Sequence, residues 1–434
     1  MKKTFKIVAL LLLVLVTSTF VFAQNSNTFT ATAGTLRDDA DNFMDVRYYN
    51  DVDFSNFFAW TNLSLDEANL GFAKKFDALY LGAYYNGDLW SSSATDKSDN
   101  TDADIDTDSV KKTVSGKHFF DVLLGFSGMA LKLDTSFDID NNSEEMTEKG
   151  DLMSESKNND STYSFDLTWG GLSIPVGNVN LRPMATLGLD IKDSTEYSCN
   201  YDADGVKILE TTNEANNINT LTIKLASDIE WGSKDAFFSV AGLAYTLETA
   251  IGANGEIGKT TISDTSYVGF REDYKDVSNE FNSYYRFEYQ ASDNLKLGAR
   301  VNADIEFTKN SDGYTYQDEA PEEKPEVDVE SYTDIDSEIA FGMQYRFNPK
   351  FAMNLGLKST LPSFTSTKTV SPASKTTTVE SKWNDTFSSS LRTGFVWDIN
   401  ENCALDAYMF IPLNPSILMD ILGGGLSLGF KYKM

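Results

Sequence analysis

The stretch FDVLLGFSGMALKLD, residues 120–134, alternates apolar and other residues on either side of a Ser-Gly pair. Folded at Ser127-Gly128, it sets Phe126 opposite Met129, Leu124 opposite Leu131 and Val122 opposite Leu133. The other face then places Leu123 beside Lys132 and Asp121 beside Asp134. Period-two alternation around a two-residue, glycine-containing turn predicts a β-hairpin. Its apolar face is buried if the sheet is soluble and meets lipid if the sheet is a membrane barrel.

The pattern recurs. Phe281, Ser283, Tyr285, Phe287 and Tyr289 share one face; after a turn at Ser292-Asp293-Asn294, Leu295, Leu297, Ala299, Val301, Ala303, Ile305 and Phe307 continue it. Arg286, Glu288, Lys296, Arg300, Asp304 and Glu306 face the other way. A third copy turns at Asn348-Pro349-Lys350 and carries Arg346 on its polar face; a fourth turns at Asn400-Glu401-Asn402 and carries Arg392. Weaker copies turn near 170–178, 232–235 and 74–77. Between these hairpins lie polar stretches at 88–116, 141–161, 194–218, 250–279, 309–331 and 361–382.

Short turns alternating with long polar connections predict an outer-membrane barrel, with the turns periplasmic and the loops external. Aromatic placement agrees with this. Trp169, Trp231, Tyr289, Phe347 and Trp397 cluster near short turns, and Trp90 and Trp383 sit at the opposite strand ends, as two interfacial girdles require. Phe126 belongs to the same lipid-facing set, and the charged residues of the opposite face, Lys132 and Asp134 included, then line the lumen. About fifteen strands are countable from Ala68 onward. An even-numbered barrel needs one more, which residues 43–61 supply. The fold class is thus an all-β transmembrane antiparallel barrel of about sixteen strands, with fourteen as the alternative. Side chains alone do not fill a lumen of that width, so it is a channel unless a loop or the N-terminal segment blocks it.

Lys2, Lys3 and Lys6 precede the apolar run Ile7–Val16, and Val21-Phe22-Ala23 offers small residues for cleavage. Residues 1–23 therefore read as a secretory signal peptide. Residues 24–65 form an N-terminal segment, either first strand or plug, and residues 66–434 the barrel. The formal net charge of −29 argues against nucleic-acid partners. Most of the excess acid falls in the long connections; the inward faces of the clearest strands are nearly balanced, which predicts a weakly selective lumen. Loops 88–116 and 309–331 lack the apolar content to fold alone and are expected to be mobile.

The stretches ANLGFAKKFDALYLGAYYNGDLW (68–90) and FDVLLGFSGMALKLDTSF (120–137) resemble spirochaetal outer-membrane β-barrel proteins of porin-like type. That resemblance implies an outer-membrane location and a channel, and it brings no functional residues with it. In size the chain also resembles long-chain fatty-acid transport barrels, with 24–65 in the place of their plug, although the Asn-Pro-Ala start of that plug is absent. The alternating strand ending in Phe430 and Tyr432 looks like the terminal strand read by barrel-assembly machinery, with Met434 in place of the usual final aromatic.

Few residues carry chemistry. Asp102, Asp104, Asp106 and Asp108 offer hard oxygens to calcium, but Thr107 and Thr113 stand where an EF-hand needs Gly and Glu. His118 is the single histidine and no serine motif accompanies it, so no enzyme is expected. No cofactor is expected either. Cys199 falls in a long connection and Cys403 beside a short turn, at opposite barrel ends and out of disulfide reach. Two functions from different classes follow: a passive channel for small hydrophilic solutes, or a surface adhesin binding a host component through its acidic loops.

Overall fold

A computed structural model describes residues 31–37, 42–52, 56–63, 67–88, 92–102, 105–148, 151–202, 205–213, 218–252, 254–262, 265–311, 313–319, 321–384, 387–412 and 426–433. The proposed leader, 1–23, lies outside them, as do Trp90, Asp104 and Met434.

Sixteen strands form the wall: β1 (Phe57–Leu63), β2 (Glu67–Phe76), β3 (Leu79–Asp88), β4 (Ile105–Phe126), β5 (Met129–Glu148), β6 (Asp151–Gly170), β7 (Val179–Tyr201) and β8 (Asn219–Gly232). They continue through β9 (Phe237–Ile251), β10 (Lys275–Ser292), β11 (Leu295–Ser311), β12 (Val329–Asn348), β13 (Phe351–Thr360), β14 (Ser388–Asn400), β15 (Cys403–Pro412) and β16 (Leu426–Lys433). Each pairs antiparallel with its neighbour, and β1 pairs with both β2 and β16, which closes the barrel. Closure leaves the membrane wall no strand edge, which hydrocarbon does not tolerate.

The registers follow the apolar pattern. Phe126 faces Met129, Leu124 faces Leu131 and Leu123 faces Lys132. Ser127 and Gly128 both take positive φ, 51° and 81°, as a two-residue primed turn requires. Val122 is 42% exposed and Leu124 47%, whereas Leu123 between them is fully buried. The apolar face therefore points outward and the other faces the lumen. The reversal expected at 74–77 falls instead at Asp77-Ala78, with Asp77 at φ 48°.

Over most of their described residues the long connections are paired strands. β4 and β5 stay paired out to Thr107 and Glu148, and β5 and β6 to Glu148 and Asp151. Ser92–Asp102 pairs with the outer half of β4. Lys207–Asn213, Gly255–Ile262, Thr265–Glu272 and Tyr314–Gln317 pair in succession, and Ser363–Ser371 pairs with both β12 and Thr376–Asn384. Within 88–116 and 309–331, the stretches expected to be mobile, the described residues are mostly strands of an outer tier, with 318–319 and 321–328 outside any strand. These segments carry no apolar alternation because water meets both of their faces. Backbone pairing builds them, with side-chain contacts such as Tyr314 to Glu272 and Phe364 to Trp383 between the paired strands.

Candidate functional site

The lumen is occupied. Residues 31–37 and 42–52 cross the barrel interior, mostly in turns and bends and including the 3₁₀ turn Tyr49–Asp51, and Ala31, Leu36, Phe43, Val46, Tyr49 and Val52 are all buried. Inward-facing glycines receive them. A Cβ at Gly71 would overlap the Phe43 ring, one at Gly125 the Tyr49 ring and one at Gly342 the Thr35 hydroxyl. At Gly298 it would lie 2.8 Å from Thr35, and at Gly170 2.7 Å from Val46. Gly298, Gly342 and Gly356 are cross-strand neighbours, so three adjacent strands form one bare seat for residues 31–36.

Irregular backbone inside a barrel must find hydrogen-bond partners, because no ladder supplies them. The wall provides donors. Tyr80 hydroxyl donates to the Phe43 carbonyl at 2.6 Å, Lys75 to Val52 at 3.0 Å and Arg182 to Arg47 at 2.6 Å. Tyr49 hydroxyl donates in return to the Met129 carbonyl at 3.0 Å.

Two environments meet around the segment. On the β1–β4 side Phe43, Phe58, Trp60, Tyr84, Tyr80 and Leu123 form an apolar cluster, with Trp60 stacked on Tyr84 at 6.0 Å. On the β7–β8 side lies an ionic lock. Arg47 reaches Asp45 at 3.0 Å and Asp228 at 2.9 Å, and Tyr48 also donates to Asp228. Arg182 clasps Glu230 at 2.8 Å and Asp51 at 2.9 Å, and Lys234 adds to Asp51 at 3.3 Å. Asp228 and Glu230 are 1% and 3% exposed, so their partners offset a large desolvation cost.

Lys132, on the inner face, bridges Asp121 at 3.0 Å and also contacts Asp134. Arg286 pairs with Glu288 at 3.0 Å, and Glu288 also holds Lys296. Arg300 lies opposite Arg286, and Asp304 accepts from Asn282 and Asn302. Glu306 accepts from Ser278 and Thr308 near the outer tier; Arg346 bridges Asp398 at 2.8 Å near the short turns. Arg392 sits opposite Gly356. Phe126, Trp169, Tyr289, Phe347 and Trp397 are exposed on the outer face, with Trp231 stacked on the exposed Tyr285. Asp102, Asp106 and Asp108 fall on two paired strands, with Thr101 opposite Asp106. Among the described residues no acidic, His or Cys group could hold a metal. His118 lies in register with Phe137, its Nδ1 3.1 Å from the Tyr85 hydroxyl. Both cysteines are free.

Reading the sequence by periodicity missed the lock, because Asp45, Arg47, Tyr48 and Asp51 lie in a segment with no period. The one available signal was the unusual number of glycines at inward positions of alternating strands.

No protein-family model matches the chain, and no curated protein matches it. Among solved structures it is similar to a Pseudomonas aeruginosa FadL homologue at 11% identity and TM-score 0.39, covering 95% of this chain and 99% of that one. The Pseudomonas putida toluene transporter TodX gives 9% and 0.38, covering 96% and 100%. The copper transporter OprC gives 11% and 0.35, covering 83% of this chain; this chain spans only 62% of OprC. The fold itself stands on the chain's own strand pairings, which make a closed barrel of outer-membrane type.

Proposed function

We propose that the protein is an outer-membrane channel for small hydrophilic solutes, closed at rest by its own residues 31–37 and 42–52. One observation carries this reading: among the described residues that segment contributes no rung to any ladder of the wall, which β1 and β16 close without it. The segment can therefore leave while the barrel stays intact. What it would uncover is a wall rich in paired charges, suited to water and polar solutes. β16 is then the strand presented to assembly machinery. With His118 beside a tyrosine on the outer face, the reading includes no catalysis.

The apolar cluster around Phe43 and Trp60 favours a second reading, passage of an apolar solute along the β1–β4 side. Single-channel recording decides between closed channel and inert barrel. The refolded mature chain should conduct little, and deletion of residues 24–52 should produce large, steady openings. A deletion variant that is folded yet equally silent would refute the channel. Binding of toluene or a fatty acid, abolished by Trp60→Ala, would favour the second reading.

A further inference from the structure

Beside the segment that fills the lumen is a cavity of about 220 Å³ whose charge runs against that of the whole protein. It is lined by Arg37, Arg47, Lys224, Arg286 and Arg300, with Asp228 as its acidic residue. Arg47 is satisfied by Asp45 and Asp228, and Arg286 by Glu288, which Lys296 shares. Arg37 reaches Asp45, which Arg47 also holds, at 3.4 Å. Arg300 makes no ion pair with any described carboxylate.

Three independent features single out Arg300. It stands directly across the ladder from Arg286, a like-charge pair that destabilises a sheet unless something lies between the two. Its Nε is buried without a hydrogen-bond partner, and among the described residues its guanidinium donates one long 3.4 Å bond, to Asn302. The guanidinium is nonetheless held in place, 5.3 Å over the Tyr284 ring. Asp304 is occupied by Asn282 and Asn302, and Glu338 by Lys358, and neither forms an ion pair with it. A half-buried cation with no ion-pair partner is costly, and such costs persist in proteins where a ligand supplies the missing charge.

We infer that this cavity is a binding site for a small oxyanion, a carboxylate or phosphate, with Arg300 as its fork and Arg37 and Lys224 as flanking charges. Arginine's planar donors match both groups in bidentate geometry. The volume is below the roughly 300–1,000 Å³ of ordinary organic-ligand pockets, which restricts the ligand to a few heavy atoms. Arg300 lies two residues further from the short turn than Gly298, the seat of Thr35 and Leu36, so an anion here would sit directly beside the closing segment. The inference deepens the channel reading by naming the charge class of its solute, and its test needs no conduction.

Calorimetric titration of the full mature chain in detergent at low salt would use inorganic phosphate and, separately, succinate. At least one should bind, and whichever binds tells a phosphate site from a carboxylate site. Arg300→Gln should weaken that binding at least tenfold, Arg300→Lys less, and the exposed-turn variant Lys350→Gln not at all. Arg300→Gln should also melt no lower than wild type without ligand, since it removes an uncompensated charge, and should lose the melting shift that the anion gives wild type. Absence of binding by both anions, or unchanged binding in folded Arg300→Gln, would overturn the site. Binding without conductance in the 24–52 deletion would keep the site and discard the channel.

Discussion

Asp228 shows how one buried carboxylate fastens the segment that fills the lumen. It accepts Arg47 and Tyr48 together while 1% exposed. Removing one partner of a buried pair costs about 3–5 kcal/mol, and Arg47 keeps Asp45, so Asp228→Ala should fall near the lower end. Hydrogen exchange within residues 42–52 should then quicken by about a hundredfold, since each 1.4 kcal/mol is a factor of ten. Exchange in the β9–β12 ladders should not change. A second prediction at this scale uses space rather than charge. Gly342 has ordinary strand φ, so Gly342→Val suits the ladder, but its side chain would take the place of the Thr35 hydroxyl. The barrel should fold, and single-channel recording should show openings absent from wild type. A silent, folded Gly342→Val would mean that the seat is not needed for closure.

At the scale of elements, the outer tier departs most from a reading by alternation. Thr265–Glu272 and Tyr314–Gln317 have no lipid-facing apolar side, and their pairing, a ring contact of Phe270 with Tyr316 at 5.4 Å and a local clasp order them. Glu272 accepts from Tyr314 at 2.7 Å and Tyr316 at 3.1 Å, with Lys324 at 3.6 Å, and these hydrogen bonds hold its carboxyl below the usual glutamate range. A lowered folded pKa stabilises above the unfolded value and is lost as pH falls through the folded one. The clasp should therefore persist through about pH 4.3, the ordinary glutamate value, and open only below it. Exchange protection of 314–317 measured against pH should show that late loss, and Glu272→Gln should remove the pH dependence in this window. Loss of protection already above the ordinary value would contradict the clasp. The lipid-facing strands were legible because one of their faces meets hydrocarbon and the other the lumen. Arg286, Lys296 and Arg300 were assigned to the lumen on that basis alone.

For the whole molecule, orientation follows from the lengths of the connections. Tags inserted at Lys375, in the Ser371–Thr376 turn, should be reachable on unbroken cells, and tags after Glu401 should not. Protease added outside should cut at hairpin tips and within 318–328 rather than along the paired segments. Labelling the other way round would invert the topology.

The sequence by itself determined the wall: a two-residue period forced by lipid on one side, turns fixed by Ser127-Gly128 and Asn348-Pro349, and the residue-by-residue register of β4 with β5. It also gave the strand number to within one pair. Only the tertiary structure decided what fills the lumen. Residues 31–52 have no period of their own, and their partners, from Gly71 to Gly356 and from Asp228 to Arg182, are distant in sequence and meet only when the barrel closes. The same holds for the cavity in which Arg37 and Arg47 of that segment meet Lys224 and Arg300 of the wall. A periodic pattern reports the solvent on each face of a strand, whereas contacts across a closed lumen depend on the curvature of all sixteen strands together.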